Sequence, residues 1–398
     1  MLKTLRAPYL KSVAERTIVP SNSDLQSGYD ASAVAADDLS RNVFGILGIP
    51  VDAIDFAALL NSISIAAKTE SPFLISTPNV NFLVKSQQNL RFRESMLLSD
   101  LCLADGMPLI WIAKLLRIPI YKRIAGSDLF GRLKSTNSAT RRLRVFLLGG
   151  AEGVALTVCA KLNAERCSLE CVGVLNPGFG SIEEMSTPQI IDSINASRSD
   201  LLAVFFGAEK AQAWLMHNHR QLSIPVRAQF GATINFEAGT VKRAPLFLRS
   251  TGFEWLWRIK EEPYLWRRYW NDGKMLLRLL VTCVLPLMII RRKIVNTEAL
   301  SILSDANLES VTIELQGSAV SRHADAAIEH FRKALQSGKQ IVIDVSKTEY
   351  LDPRFFGLML MVRKQLSSRG QKLRFIGVSP ELRRIFRLNR FEFLLDEV

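Results

Sequence analysis

Ser71-Pro72-Phe73-Leu74-Ile75-Ser76-Thr77-Pro78-Asn79 decides how this chain is read, together with Leu101-Cys102-Leu103-Ala104-Asp105-Gly106. Each is a short apolar run that a polar or glycine turn breaks, the pattern of a buried strand and its end. In an open α/β sheet, ligands bind outside the carboxyl ends of the strands. The Thr77 hydroxyl, the Asn79 amide and the Asp105 carboxylate are therefore expected at one crevice. Asp-Gly is also a common turn dipeptide, and Thr77 and Asn79 also suit turn capping.

The same pattern extends outward from this pair. Further strand candidates are Val43–Leu47, Arg144–Leu148, Glu170–Val174, Leu201–Phe206 and Val226–Gln229. Helical stretches, such as Ala53–Ala67 and Ala151–Glu165, lie between most of them. Alternating β and α elements predict a parallel sheet covered on both faces. Residues 1–41 are polar, lack a clear period and read as a flexible leader. The core is expected over 42–246, a basic and apolar appendage over 247–295, and a linker over 296–308. A second small α/β unit is expected over 309–398. Its strands are Val311–Leu315, Gln340–Val345 and Lys372–Val378, and its helices Ala324–Ser337, Arg354–Arg369 and Pro380–Phe386.

The net charge of +13 is unevenly spread. Lys242 to Lys293 holds twelve Lys/Arg against four Asp/Glu, a net of +8. So local a basic region faces an anionic partner. Within it, residues 251–274 carry four Trp and two Tyr, and the uninterrupted apolar run Leu279 to Ile290 follows. Twelve residues fall short of the roughly 20 that cross a bilayer. Flanking aromatic and basic residues instead predict an interfacial helix on a membrane surface. Because the cations lead into an apolar helix, nucleic acid is a poor fit. Met1 to Pro20 lacks the apolar segment of a signal peptide. The five cysteines show no disulfide framework and read as free or buried thiols in a reducing compartment.

Asp105 is the leading catalytic candidate, because partial burial raises a carboxylate toward the range of a general base. Leu147-Leu148-Gly149-Gly150 reads as a strand and glycine turn that lets backbone N–H groups approach a phosphate. It matches a dinucleotide fingerprint only in part. Lys242, Arg243, Arg258, Arg267 and Arg268 are candidates for neutralising a diphosphate. No Asp-x-Asp pair is present to clamp a metal–diphosphate complex, and cationic side chains are the natural substitute.

The region from Val43 to Tyr269 resembles the WecG/TagA/CpsF family of bacterial glycosyltransferases. The matching segments are TPNVNF (77–82), ADGMPL (104–109), KRIAGSDL (122–129), FLLGG (146–150), the Gly207/Lys210/Trp214 pattern, GATINFEAGTVKRAP (231–245) and EWLWR to WRRY (254–269). The resemblance implies a Rossmann-like parallel-sheet core. It implies metal-independent, cofactor-free, inverting transfer of a sugar from a UDP-type donor to a polyprenyl-diphosphate-linked sugar. The place implied is the cytoplasmic face of the cell membrane, in exopolysaccharide or other cell-surface glycan synthesis. By the same analogy Asp105 is the base. Thr77, Asn79, Gly149, Lys210, Ala211 and Asn235 line the substrate pocket, and Arg258, Arg267 and Arg268 complete it from the appendage. The chain departs from the family at Glu209-Lys210-Ala211-Gln212, where Pro-Lys-Gln-Glu is usual, and at Asn235, where Asp is usual. These departures put donor identity in question and motivate the alternative of a catalytically degenerate scaffold.

The C-terminal unit resembles a STAS domain on the segment IVIDVSKTEYLDPRFFGLMLM (341–361). Asp352-Pro353-Arg354-Phe355 stands where such domains often carry a phosphorylatable hydroxyl. The resemblance therefore implies partner docking or self-association rather than a phosphoswitch.

Overall fold

The computed structural model describes residues 37–135, 141–165, 167–294 and 300–396. The expected leader, apart from residues 37–41, lies outside them. The first strands, β1 (Val43–Ile46) and β2 (Ile49–Asp52), pair with each other as an antiparallel hairpin. Leu47 and Gly48 turn it with φ of 47° and 91°. Val43–Leu47 is thus a strand as expected, but it stands outside the parallel sheet.

That sheet has six parallel strands: β3 (Phe73–Ser76), β4 (Leu101–Cys102), β5 (Leu143–Gly149), β6 (Leu169–Leu175), β7 (Leu201–Phe205) and β8 (Val226–Gln229). Their order is β4-β3-β8-β7-β5-β6. Both faces are dry, as uninterrupted apolar strands require. Val145, Leu147 and Ala203 face one way, against Leu59 and Ile63 of the helix Phe56–Thr69. Phe146, Leu148, Leu202 and Val204 face the other, against Trp214. β4 is only two residues long and lies at the edge, with β3 as its sheet neighbour.

The second unit is a mixed sheet of β9 (Ser301–Ala306), β10 (Ser310–Ala319), β11 (Gln340–Asp344), β12 (Thr348–Leu351) and β13 (Arg374–Ile376). β9 runs antiparallel to β10, and the other pairings are parallel. The expected linker is therefore corrected. Residues 301–306 are an edge strand that completes this sheet. Its mixed side chains are mostly exposed and carry no alternation, so it read as a connection. Asp352 caps the helix Pro353–Ser367, accepting from the N–H groups of Arg354 and Phe355. Its other oxygen accepts from the Ser321 hydroxyl at 2.6 Å.

The two units share one core. Leu39, Val43 and Leu97 join the cluster that holds Ile313, Ile343 and Phe355. The helix Pro353–Ser367 approaches the hairpin so closely that a Cβ at Gly357 would lie 2.0 Å from the Val43 carbonyl oxygen. Gly357→Ala is expected to destabilise the chain by about 1–3 kcal/mol through overpacking. A chemical melt showing unchanged stability would refute this close contact.

Two expectations change here. Cys159 and Cys171 are joined as a disulfide with Cα atoms 5.2 Å apart, so they are not free thiols. Their 12-residue separation links a helix to the neighbouring β6, a proximity that spacing alone does not reveal. The helix is also longer than the apolar run it contains. Pro263–Arg292 is continuous helix over 30 residues, long and apolar enough to cross a membrane by length and composition. It includes a π-helical turn at Leu280–Val284. One of its faces is nevertheless inside the protein, where Leu279, Cys283, Val284 and Leu287 are buried.

Candidate active site

The two turns singled out in the sequence lie side by side. Leu103 N–H donates to the Ser76 carbonyl and Asp105 N–H to the Pro78 carbonyl, both at 2.8 Å. These bonds extend the β3–β4 pairing past the strand ends and bring Asp105 beside Thr77-Pro78-Asn79. Gly106 has φ of 120°, a conformation that glycine adopts without strain, and a Cβ there would lie 3.8 Å from Asn79 Cβ.

Thr77 is buried and its hydroxyl accepts a hydrogen bond from Gln229 Nε2 at 3.0 Å. Asn79 caps the helix Val80–Ser86, its Oδ1 accepting from the N–H groups of Asn81 and Phe82. Both therefore have structural duties at the crevice floor. Capping leaves the Asn79 amide nitrogen as its group for a ligand.

The half-buried Asp105 carboxyl is pushed up to about 7. Burial is the main cause, and Glu254 and Asp128 add to it. The Arg123 guanidinium and the Gly126 N–H, at the start of the helix Gly126–Ser135, work in the opposite direction. Arg123 is itself the hub of an ion network. It meets Glu254 Oε2 at 2.5 Å and Asp128 Oδ2 at 3.1 Å. Asp128 also pairs with Arg243 and with Arg249, the latter at 3.5 Å. Burial works against the Arg123 charge, yet Glu254, Asp105 and Asp128 hold its pKa above the ordinary arginine value. This network ties the appendage, through Arg249 and Glu254, to the core beside Asp105.

Sequence reasoning gave Arg123, Asp128, Arg249 and Glu254 no role. The signal was present: Arg123 and Asp128 fall within the quoted 122–129 segment and Glu254 opens the 254–269 segment. Ion pairing between segments more than 100 residues apart is nevertheless a tertiary fact. Asn81 and Asp272 were missed in the same way. Asn81 Nδ2 donates to both Asp272 oxygens at 3.2 and 3.3 Å, docking the helix Trp266–Leu279 on the helix Val80–Ser86.

The remaining candidates separate into two groups. Arg258 pairs with Glu262 at 2.5 Å and lies 5.2 Å from the centre of the Phe236 ring. Phe236 neighbours Asn235 on the helix Thr233–Ala238, so Arg258 packs on the short helix that also carries Asn235. Lys210, half-buried on the helix Ala208–Asn218, follows β7 at the carboxyl edge of the sheet. Arg268 lies near Asp272 at 4.0 Å and over Tyr269, while Arg267 is exposed beside Trp266. Ala211 differs from all of these. It is fully buried in the core with Leu148 and Trp214. No part of it reaches the crevice, and its assignment to the substrate pocket is corrected. Gly149 has φ of 94°, and a Cβ there would lie 2.5 Å from the Phe206 ring. Backbone conformation and packing together favour glycine at this position.

Comparison with known proteins matches both units of the chain. A family model described as glycosyl transferase WecG/TagA/CpsF matches residues 44–287. A second, described as a Mlab, STAS domain, matches residues 302–396. A Bacillus spizizenii protein named N-acetylglucosaminyldiphosphoundecaprenol N-acetyl-beta-D-mannosaminyltransferase is 29% identical over 195 residues, 49% of this chain and 73% of the relative. The Bacillus subtilis protein of the same name is 25% identical over 209 residues, 52% of this chain and 78% of the relative. A Staphylococcus aureus counterpart is 22% identical over 225 residues, 56% of this chain and 85% of the relative.

Proposed function

The chain belongs to the WecG/TagA/CpsF family of glycosyl transferases, and from that premise we propose that it transfers a sugar from a UDP-linked donor to a polyprenyl-diphosphate-linked sugar, with inversion, at the inner face of the cell membrane. The observation that carries the reading is the Asp105 carboxyl. It stands at the crevice with a pKa near 7 and with Arg123 beside it. Asp105 removes the proton from the acceptor hydroxyl as that oxygen attacks the anomeric carbon. The bond from the anomeric carbon to the diphosphate breaks, and UDP leaves with the electron pair. Cationic side chains of the appendage, Arg258 and Arg268 foremost, neutralise the developing charge.

The names of the relatives support an N-acetylglucosamine acceptor on undecaprenyl diphosphate and an N-acetylhexosamine donor. Asn235, half-buried and next to Phe236 under Arg258, becomes the departure most relevant to donor choice. Ala211 has no part in it. The test is a screen of UDP-sugars with a short-chain lipid-diphosphate-N-acetylglucosamine acceptor. Transfer from a UDP-N-acetylhexosamine, giving the opposite anomeric configuration, is the expected result. No transfer from any donor, with no UDP binding by calorimetry, would sink the reading in favour of a scaffold.

The long helix supports attachment to a membrane surface. Trp266, Trp270, Leu277, Val281, Leu285 and Ile289 are all exposed and share one face at helical spacing. Arg267, Lys274 and Arg278 flank that face. Because the opposite face is buried in the protein, the helix suits lying in the interface. Leu277→Glu combined with Ile289→Glu is expected to reduce sedimentation with anionic vesicles by roughly tenfold or more, since each apolar side chain contributes about 1.5–3 kcal/mol on burial. Unchanged sedimentation would exclude this face.

A further inference from the structure

We infer that Lys364, in the C-terminal STAS-like domain, is a positioning residue for the strand that carries Asp105, so that this domain is a working part of the transferase. β4 is an edge strand of two residues, and β3 is the neighbour that pairs with it in the sheet. A strand so short, paired on one side, needs something to hold its other side.

That hold comes from buried charge. Cys102 N–H points away from β3 and donates to Asp52 Oδ2 of β2 at 2.7 Å. Arg41 grips the same carboxylate, Nε to Oδ1 at 3.1 Å and Nη2 to Oδ2 at 2.8 Å. At the start of β4, Asp100 Oδ2 accepts from Leu74 N–H at 2.8 Å. Its Oδ1 accepts from Lys364 Nζ at 2.7 Å. Lys364 also reaches Asp38 Oδ1 at 3.1 Å, and Asp38 in turn pairs with Arg41 at 3.0 Å. The Ser99 carbonyl, immediately before Asp100, accepts from Arg41 at 3.0 Å. Two cations and three carboxylates thus close one circuit around residues 99–102, and of these five charged groups Lys364 comes from the second domain, whose Met361 Sδ also touches Arg41 at 3.3 Å.

The consequence follows from desolvation. The Asp100 side chain is largely enclosed, 23% exposed, and a carboxylate so placed is destabilised when its cation is removed. Without Lys364, Asp100 is expected to turn further toward water and loosen its bond to Leu74 N–H, displacing the start of β4. Asp105 lies five residues further along the same segment. It is held there by the bonds from Leu103 to Ser76 and from Asp105 to Pro78. Misplacing a base by about 1 Å can cost as much as a hundredfold in rate. The bidentate pair of Arg363 with Glu94, at 2.9 and 3.1 Å, fixes the helix Pro353–Ser367 at this same interface.

The inference rests on Asp105 acting as the base, and the experiment separates the two ideas. Full-length Lys364→Met, Lys364→Arg and the double variant Asp100→Asn with Lys364→Met are compared with wild type in the transfer assay, with Asp105→Asn alongside. Lys364→Met is expected to lower kcat roughly tenfold to a hundredfold, with KM for both substrates within about threefold. The double variant removes the stranded charge and should recover kcat to within about threefold of wild type. Lys364→Arg keeps the positive charge but cannot present one compact ammonium to Asp38, Asp100 and the Ser99 carbonyl. It is expected to fold and still lose about fivefold or more in kcat, and it carries the test should Lys364→Met fail to fold. Wild-type kcat in Lys364→Arg overturns the inference, as does an equal loss in the Lys364→Met single and double variants. If Asp105→Asn is as active as wild type, the base assignment fails instead, whatever the Lys364 variants do.

Discussion

Asp105→Asn is expected to lower turnover by about 10²- to 10⁴-fold, the usual contribution of a positioned general base, while binding of UDP and lipid acceptor changes little. Asparagine has nearly the same shape and keeps a carbonyl oxygen toward Gly126 N–H, but it cannot take a proton. Substrate affinity rests on other groups, so the loss should fall on kcat rather than KM. The wild-type pH profile should agree. Burial lifts the carboxyl to about 7, so the fraction of active base, and with it kcat, rises as pH passes through that value. Stability should respond with the opposite sign. Between 3.8 and about 7 the folded state holds a proton that the unfolded chain has released. Folding stability therefore falls as pH rises across that window. Asparagine carries no such penalty, so above pH about 7 the variant should melt higher than wild type. Measured kcat within threefold of wild type, or a melting temperature below wild type at alkaline pH, would remove Asp105 as a buried base.

Arg123→Ala is the second large effect. Arg123 favours ionisation of Asp105, so its loss should move the acid limb of the kcat profile upward by about one pH unit or more, as expected when an opposite charge is removed at close range. The variant also leaves Glu254 and Asp128 short of a partner at the junction of core and appendage. Breaking a partly buried ion network by deleting one member costs about 3–5 kcal/mol in fully buried cases. Arg123 is partly exposed, so the cost should be smaller, and Arg243 and Arg249 still face Asp128. Arg123→Lys should restore much of the stability but not the two-pronged contact with Glu254 and Asp128. A titration of kcat against pH, set beside a thermal melt, separates the two roles. An acid limb that stays in place while the melting temperature drops would make Arg123 purely structural.

The appendage connects these predictions to the proposed membrane attachment. Glu254 and Arg249 reach Asp128 and Arg123, and Asp272 reaches Asn81. The segment bearing the exposed Trp266 and Trp270 is thus bonded directly to the crevice walls. Under the proposed function, a lipid-linked acceptor held at a membrane surface would meet the Asp105 carboxylate without leaving that surface.

Much of this arrangement is written in local sequence. The runs at 73–75, 101–104, 145–148 and 201–206 are apolar throughout, the pattern of strands covered on both faces, whereas 226–229 alternates with Arg227 and Gln229. Their turns then placed Thr77, Asn79 and Asp105 at strand ends. The β9 strand failed this reading because its mixed side chains are mostly exposed and do not alternate. The hairpin strand Val43–Ile46 was recognised as a strand, but its partner is a neighbour in sequence rather than the sheet. The burial of Ala211 and the Cys159–Cys171 disulfide were equally illegible, since a helix face and a cross-element distance need three dimensions.

The sequence by itself determined the doubly covered parallel sheet, the crevice with Asp105 at its edge, and the basic aromatic segment leading into an apolar helix. Periodicity and turn chemistry act over a few residues, so one chain suffices to read them. Only the tertiary structure decided what surrounds Asp105 and what holds its strand. The Arg123 network, the docking of the appendage and the circuit from Asp52 through Arg41 and Asp38 to Lys364 join residues tens to hundreds of positions apart. Charges pair at such separations only because burial makes an unpaired charge costly, and burial is a property of the fold.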